Sequence, residues 1–242
     1  MKVIVNGSCG HMGRILTGII EQTDDMEVIA GVAPSGEDGA YTSLDEYAGE
    51  ADIVIDFSHH AGTEALMNYC TKRKLPVIVA TTGQTDEERA MIEAASKEIP
   101  VFFSANMSVG VALVAKIAKE ITRAFGDCDI ELVEAHHNRK IDAPSGTALM
   151  LARGIQEERP ELEIHCGRSG KQKREKNEIG VQSVRMGNIV GMHEVMFGTN
   201  NQTITIKHEA HDRALFADGA VAAARFLVKQ PAGLYTMDDY LG

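Results

Sequence analysis

The most constraining feature of the sequence is an alternation of short apolar runs with helical patterns, which starts at the first residues. Lys2–Asn6 and Val28–Val32 are rich in β-branched residues, and between them Ile15, Ile19 and Ile20 suit one face of a helix. The alternation continues with strands predicted at 52–57, 77–80 and 101–104 and helices at 62–74 and 86–97. Continuous apolar strands separated by helices predict a parallel sheet covered on both faces.

A glycine-rich turn joins the first strand to the first helix. Gly7, Gly10 and Gly13 of "GSCGHMG" follow the GxxGxxG spacing, a variant of the dinucleotide-binding fingerprint. Glycines let backbone N–H groups approach a pyrophosphate at the helix N-terminus. A tight strand–helix connection without a ligand is the alternative. The position of the turn at the first βα unit favours a Rossmann-type dinucleotide-binding domain.

The rhythm changes after Asn106. A long helical pattern spans 109–125, a strand is predicted at 130–135, and a second helix at 147–158. "GVQSVRMGNIVGMHEVMFG" and "NQTITIKHEAH" then alternate apolar and polar residues, as antiparallel strands do. We therefore predict an α/β protein in which residues 1–107 and 214–242 form the dinucleotide-binding domain. Residues 108–213 are predicted to form an inserted α+β domain with an open mixed sheet, which binds the substrate.

The stretch "EAHHNRKIDAPSGTA" gathers protonatable groups at the start of a helix. His136 and His137 are adjacent and Lys140 follows, whereas Ser145, Gly146 and Thr147 begin the helix. Imidazole suits proton transfer near neutral pH, lysine adds positive charge, and helix N–H groups and hydroxyls bind carboxylates. We expect no metal, because adjacent strand histidines point apart and no second ligand cluster accompanies them. The alternative is that this stretch has only a structural role, as a capped helix beside exposed histidines, and does not protonate an acidic substrate.

Composition narrows the classes of partner. Lys+Arg 24 against Asp+Glu 35 gives a net charge of -11, which argues against nucleic-acid or anionic-membrane surfaces. No apolar run is long enough for a membrane span, and a strand begins at once where a signal peptide would stand. The four cysteines are widely spaced without a CxxC pair, so we expect no disulfide framework. These observations predict a cytoplasmic protein with a small-molecule ligand and neither nucleic-acid nor membrane partners.

The motifs together resemble one family over essentially the whole chain. "VNGSCGHMGR", "IDFSHHAGT", "ATTG", "SANMSVGV", "EAHHNRKIDAPSGTA", "VRMGNIVGMHEVMFG" and "FADGA" occur in the order found in the 4-hydroxy-tetrahydrodipicolinate reductase (dihydrodipicolinate reductase) family. The resemblance implies reduction of 4-hydroxy-tetrahydrodipicolinate, via dihydrodipicolinate, to tetrahydrodipicolinate in the diaminopimelate route to lysine. It also implies NADH or NADPH as cofactor, a cyclic dicarboxylate as substrate, and a homotetramer joined through the sheets of the second domain.

The resemblance also implies roles for individual residues. His136 matches the proton donor or acceptor of the family, and Lys140 matches its second catalytic group. The substrate contacts implied are His137, Ser145, Gly146 and Thr147. The cofactor contacts implied are Gly7, Ser8, Cys9, Gly10, His11, Met12, Ala80, Thr81, Thr82, Ser104, Ala105, Asn106 and Met107.

Several positions leave alternatives open. Pro34, Ser35 and His59 stand where family members often carry acidic residues or arginines, so the choice between NADH and NADPH stays open. The basic segment 168–176 is interpreted as a solvated hairpin loop in preference to a basic flap that touches cofactor phosphates or a neighbouring molecule. Arg213 is either a hinge residue or a residue that reaches the site.

Two other functions compete with the reductase. One is an enzyme acting on an aspartate-derived aldehyde or on homoserine, which would lack this signature. The aldehyde oxidation would also need a nucleophilic cysteine in the domain cleft, and none of the four cysteines is convincingly placed. The other is a regulatory protein that binds NAD(P)H without consuming it.

Overall fold

The computed structural model describes residues 1–242 and divides them into two compact units. One unit comprises Met1–Ser108 and Ala214–Gly242, and the other comprises Val109–Arg213. The first carries a six-stranded parallel sheet and the second a five-stranded mixed sheet, which confirms the predicted fold class. None of the helices combines the length and the apolar character needed to span a membrane.

The sheet of the first unit has the order β11-β5-β4-β3-β1-β2, and all its strands are parallel. Its strands are β1 (Lys2–Asn6), β2 (Glu27–Val32), β3 (Ile53–Asp56), β4 (Val77–Val79), β5 (Pro100–Phe103) and β11 (Gly233–Tyr235). Its helices are α1 (His11–Ile20), α2 (Thr63–Arg73), α3 (Asp86–Ser96), α6 (Ala214–Leu227) and α7 (Met237–Leu241). The carboxyl ends of the parallel strands therefore meet at one edge.

Local sequence signals explain how these elements begin and pack. Every residue of β3 and β4 is buried, as expected for strands covered on both faces. Helix α3 begins with a capping box: the Thr85 hydroxyl accepts the Glu88 N–H, and the Glu88 carboxylate accepts the Thr85 N–H. In α6, a Cβ on Gly219 would lie 1.7 Å from the carbonyl oxygen of Met107, so only glycine allows this helix to pack so closely.

The second unit is one continuous segment. Its helices are α4 (Val109–Ala124) and α5 (Gly146–Glu158). Its strands are β6 (Asp129–His136), β7 (Glu163–Cys166), β8 (Glu178–Arg185), β9 (Gly191–Gly198) and β10 (Thr203–Ala210), in the sheet order β10-β9-β6-β8-β7. Apolar residues of both helices and of one sheet face form a single core cluster.

The prediction of antiparallel strands is wrong for β8. Strand β8 runs parallel to both β6 and β7, whereas β9 is antiparallel to β6 and β10. The basic segment is therefore a crossover between parallel strands and not a hairpin loop. Arg174 anchors it by ion pairs with Asp129 (2.8 Å) and Glu131 (3.2 Å), and Arg168 pairs with Glu178.

Candidate active site

The glycine turn connects β1 to α1 in the first unit. Gly7 has a φ of +85°, and a Cβ there would lie 2.5 Å from the carbonyl oxygen of Phe57. A Cβ on Gly13 would lie 2.1 Å from the carbonyl oxygen of Gly7. Helix α1 begins at His11, and its N-cap Gly10 supplies no side-chain hydrogen bond. The turn is therefore packed too closely for side chains at Gly7 and Gly13, and no side chain caps the first N–H groups of α1.

The other predicted cofactor segments follow β4 and β5, so they lie at the same edge of the sheet as the glycine turn. Ala80 and Thr81 are buried, whereas Thr82 is exposed. Ser8, Cys9 and Met12 are half-buried at the turn itself.

The segment after β5 folds on itself. The Ser104 hydroxyl donates to the carbonyl oxygen of Asn106 at 2.8 Å, and the Asn106 side chain accepts the Ser108 N–H at 2.9 Å. Ala105 is exposed, but Met107 is only 2% exposed. The Met107 side chain therefore belongs to the core, and only its backbone is suited to a ligand contact.

A cavity of about 420 Å³ lies between the glycine turn, α1 and the loop after β2. Arg14 lines it and forms ion pairs with Asp38 (2.9 Å) and, more weakly, with Glu37 (3.6 Å). Positions 33–35 carry no acidic residue, but Glu37 and Asp38 provide carboxylates slightly further along the chain.

In the second unit, the signature stretch begins inside β6. Glu134 and His136 are two residues apart on this strand, so their side chains share the face that packs against the helices. His136 Nδ1 lies 2.6 Å from Glu134 Oε2. The His136 side chain is 10% exposed and that of Glu134 is fully buried. The ring that the sequence proposed for proton transfer is therefore fixed by a buried carboxylate.

Besides His136, three residues bind the Glu134 carboxylate: Arg185, Ser145 and Ser183. Arg185 on β8 donates to both of its oxygens, at 2.7 and 2.8 Å, and the Ser145 N–H donates to Oε1 at 3.2 Å. Burial alone would raise the pKa of Glu134, but hydrogen bonds from Arg185, Ser183, His136 and Ser145 outweigh it and lower the pKa to about 2. Glu134 is therefore a carboxylate at neutral pH.

The Ser145 hydroxyl, which the sequence suggested as a carboxylate ligand, faces inward. Ser145 is 2% exposed and is the N-cap of α5: its Oγ accepts the Ala148 N–H at 3.2 Å and lies 3.0 Å from Nε2 of His193. Capping turns the hydroxyl inward because it must reach the third N–H of its own helix. Gly146 is exposed and Thr147 half-buried, so these two residues form the accessible part of the helix start.

His137 and Lys140 lie just beyond the strand. His137 is half-buried, and its Nδ1 is a buried atom without a hydrogen-bond partner. Burial, followed by the positive charges of Arg139 and Arg213, lowers the pKa of His137. Lys140 Nζ forms an ion pair with Asp142 at 2.9 Å. His136, His137 and Lys140 thus lie in one segment, and the positive charge of Arg213 acts on His137.

His193 makes the stability of this unit sensitive to acid. Burial, reinforced by the charge of neighbouring His136, lowers the pKa of His193 to about 4, from about 6.5 in an unfolded chain. Between pH 6.5 and 4 the unfolded chain binds a proton at this histidine that the folded chain does not bind. The free energy of unfolding should therefore decrease by up to about 3 kcal/mol as the pH is lowered through this range. Urea unfolding across this range should show a shallower pH dependence for His193→Gln. Equal slopes for both proteins would contradict the prediction.

Sequence reasoning missed Glu134, Arg185 and His193 as parts of this site. The spacing of Glu134 and His136 was the available signal, because alternate residues of a strand share a face. Nothing local pointed to Arg185, which is opposite His136 only through the pairing of β6 with β8. No group of three or more His, Cys, Asp or Glu side chains is arranged to hold a metal ion.

A parallel sheet with a glycine turn, joined to a second unit that carries a buried histidine, defines the class of pyridine-nucleotide-dependent reductases with a Rossmann-type domain. Two family models match the chain: "Dihydrodipicolinate reductase, N-terminus" over residues 1–107 and "Dihydrodipicolinate reductase, C-terminus" over residues 110–241. The chain belongs to the dihydrodipicolinate reductase family.

Individual relatives agree with the family models. The chain is 46% identical to the 4-hydroxy-tetrahydrodipicolinate reductase of Caldanaerobacter subterraneus subsp. tengcongensis, over 99% of this chain and 97% of the relative. It is 43% identical to the enzyme of the same name from Clostridium tetani, over 100% and 97%.

Solved structures share the fold. A dipicolinate-bound dihydrodipicolinate reductase from Paenisporosarcina sp. TG-14 matches with a TM-score of 0.82 at 22% identity, over 98% of this chain and 97% of the other. A probable dehydrogenase from Thermotoga maritima matches with a TM-score of 0.66 at 13% identity, over 99% and 92%.

Proposed function

We propose that this protein reduces 4-hydroxy-tetrahydrodipicolinate, by way of dihydrodipicolinate, to tetrahydrodipicolinate, as its relatives are named for doing. The observation that carries the proposal is the cluster of His136, Lys140 and the exposed start of α5, in a chain of this family. The first unit is proposed to bind the nucleotide and the second the substrate.

His136 and Lys140 are the proposed catalytic residues. A bound reduced nicotinamide supplies hydride to an electron-poor ring carbon of the substrate. His136 would then donate the proton that neutralises the negative charge developing on the conjugated ring, and would regain it from solvent after product release. Lys140 adds positive charge close to that ring and is a second proton source, and such electrostatic help is strongest where water is excluded.

The substrate carboxylates are proposed to bind at His137 and at the N-terminus of α5. The backbone N–H groups of Gly146 and Thr147 are in the first turn of this helix, where the dipole favours anions. The unpartnered Nδ1 of His137 is costly to bury alone, so a carboxylate oxygen is a fitting acceptor for its proton. Ser145, proposed as a further substrate contact, also caps this helix.

NADH and NADPH are both proposed as cofactors. Gly7 and Gly13 allow the turn before α1 to close tightly, because a Cβ on either would meet backbone atoms, and such a turn fits a pyrophosphate at the start of α1. Neither an acidic residue nor an arginine follows β2 at positions 33–35. Dissociation constants for the two nucleotides, measured by fluorescence, determine the preference.

A spectrophotometric assay tests the proposed function. Purified protein with NADH or NADPH should consume the reduced nicotinamide only when the cyclic dicarboxylate is present. Aspartate semialdehyde and homoserine, each with the oxidised cofactor, are the control substrates. Turnover of either control, or nucleotide binding without turnover of the dicarboxylate, would refute the proposal in favour of a different dehydrogenase or a sensor.

A homotetramer in the cytoplasm is part of the same proposal. Residues Met192, Glu194 and Met196 of β9 face away from the helix-packed side of their sheet and are only half-buried, which supports a sheet-to-sheet contact between copies. All four cysteines are free thiols, in keeping with a reducing compartment. Light scattering of the purified protein measures the number of subunits.

A further inference from the structure

The Glu134 carboxylate is an expensive group to bury, and the proposed reaction does not use it directly. Its side chain is fully buried, yet each of its oxygens has two hydrogen-bonded partners. A carboxylate removed from water in this way is stable only when it is paired and hydrogen-bonded. Because both of its oxygens are fully hydrogen-bonded, the carboxylate holds each group bound to it, including the His136 ring, in one geometry.

The contact with His136 determines where the ring carries its proton. An ionised carboxylate only accepts hydrogen bonds, so at 2.6 Å the proton between the two groups belongs to Nδ1 of His136. Nε2 is then the ring atom left for proton exchange. Despite burial, hydrogen bonds, above all from Arg185, hold the pKa of Glu134 well below its usual range, which favours Glu134 as the acceptor in this contact.

The surroundings of Nε2 agree with proton exchange at this atom, while Nδ1 is bound to Glu134. Gly191 of β9 lies beside it, and a Cβ at this position would be 3.2 Å from Nε2. The glycine thus leaves Nε2 uncovered where any side chain would crowd it. The other charged or titratable ring facing His136 is His193, with ring centroids 5.2 Å apart and an interplanar angle of 74°.

Arg185 fixes the carboxylate in turn. Its two terminal nitrogens bind the two oxygens of Glu134, and they also donate to the carbonyl oxygens of Asp142 (2.6 Å) and Val184 (2.8 Å). Arg185 therefore connects β8, Glu134 and the loop that follows Lys140. A planar guanidinium makes this set of bonds, which an ammonium group cannot reproduce.

We propose that Glu134, held by Arg185, is a positioning residue that keeps His136 protonated on Nδ1 and so assigns proton transfer to Nε2. The inference rests on the proposed function, because it concerns the residue to which that function gives the proton transfer. Its effect on the reaction is exerted through the orientation and protonation of the ring, and not through contact with the substrate.

Glu134→Gln is the direct test. The amide offers donors where the carboxylate accepts, so it favours the wrong ring tautomer and leaves Arg185 without its counter-charge. We expect kcat to fall on the order of 10²- to 10⁴-fold, the range that covers loss of a proton-transfer group and loss of such an orienting carboxylate. KM for the dicarboxylate should change little, and the pH profile of kcat should shift, because the neutral amide no longer stabilises a protonated ring. Arg185→Lys should produce a smaller loss in the same direction.

Glu158→Gln is the matched control. Glu158 of α5 also binds an arginine through both oxygens, Arg123, with two contacts of 2.7 Å, but it is remote from the signature stretch in the fold of this unit. This variant should keep the kcat, the KM and the pH profile of the parent protein. Thermal unfolding of all variants shows whether a lost rate reflects a lost fold.

Nuclear magnetic resonance of ¹⁵N-histidine-labelled protein supplies a readout that needs no turnover. The signals of His136, assigned by their absence in His136→Gln, should show the Nδ1–H form in the parent and a shift towards Nε2–H in Glu134→Gln. An Nε2–H ring in the parent, or a Glu134→Gln variant with unaltered kcat and pH profile, would overturn the inference. Should His136→Gln lose activity while Glu134→Gln does not, only the positioning role fails; absence of reductase activity in the parent protein refutes the proposed function itself.

Discussion

His136→Gln should lower kcat by roughly two to four orders of magnitude, the contribution expected of a proton-transfer group. Glutamine has a similar size but cannot take up or release a proton near neutral pH. The His136 ring is nearly buried and Glu134 binds its Nδ1, so glutamine can occupy the same space but cannot take over the proton transfer. Binding of the reduced nucleotide, measured by fluorescence, should be unchanged.

His165→Gln is the appropriate comparison for that experiment. His165 on β7 is also paired with a glutamate, Glu163, with 3.5 Å between Nε2 and Oε2, but its side chain is half exposed. Steady-state rates of this variant should equal those of the parent. A near-normal rate in His136→Gln would remove His136 from the mechanism.

Gly13→Ala should weaken nucleotide binding strongly. The new Cβ would lie 2.1 Å from the carbonyl oxygen of Gly7 and 2.7 Å from Cα of Ser8. These are backbone atoms, so the turn itself must move, and the N-terminus of α1 moves with it. Overpacking of this kind costs about 1–3 kcal/mol of stability. We expect the dissociation constant for NADH or NADPH to rise more than about tenfold, since each 1.4 kcal/mol of lost binding free energy is a factor of ten.

Gly18→Ala is the control that distinguishes an effect on the glycine turn from an effect on helix α1 as a whole. Gly18 is in the same helix, and a Cβ there meets no other atom within 4 Å. Alanine favours a helix interior by up to about 1 kcal/mol over glycine, so this variant should be at least as stable as the parent. Thermal melts and nucleotide titrations of the two variants provide the comparison, and parent-like binding by Gly13→Ala would disprove the role of the turn.

The fold was largely predictable because its strongest patterns are local. Strand β1 has the predicted bounds, Lys2–Asn6, since five consecutive residues with a β-branched core leave little ambiguity. Strand β7 was missed because only one of its residues is even half-buried, and β11 because three residues give no period to detect. The direction of β8 was mispredicted for a different reason: alternation reveals a strand but not its partner.

The candidate site shows the same difference between residues that local patterns reveal and residues that only long-range contacts bring together. His136, Lys140 and the start of α5 are contiguous in the chain, so residue chemistry alone brought them to notice. The Glu134–Arg185 contact joins residues 51 positions apart, and it depends on the pairing of β6 with β8. The Ser145–His193 contact is likewise long-range, and His193 comes from a strand that no local pattern connects to the helix.

The interrupted first unit also dictates an order of events when the chain is made. Residues 109–213 are contiguous, so their five-stranded sheet is complete before residues 214–242 have been synthesised. The parallel sheet must wait for both α6, which packs against β5, and β11, which pairs with it at the edge. Until then its apolar strands are incompletely covered, and such nascent surfaces are prone to aggregate. The nucleotide-binding half, although translated first, is therefore the half that matures last and has the greater need of chaperones.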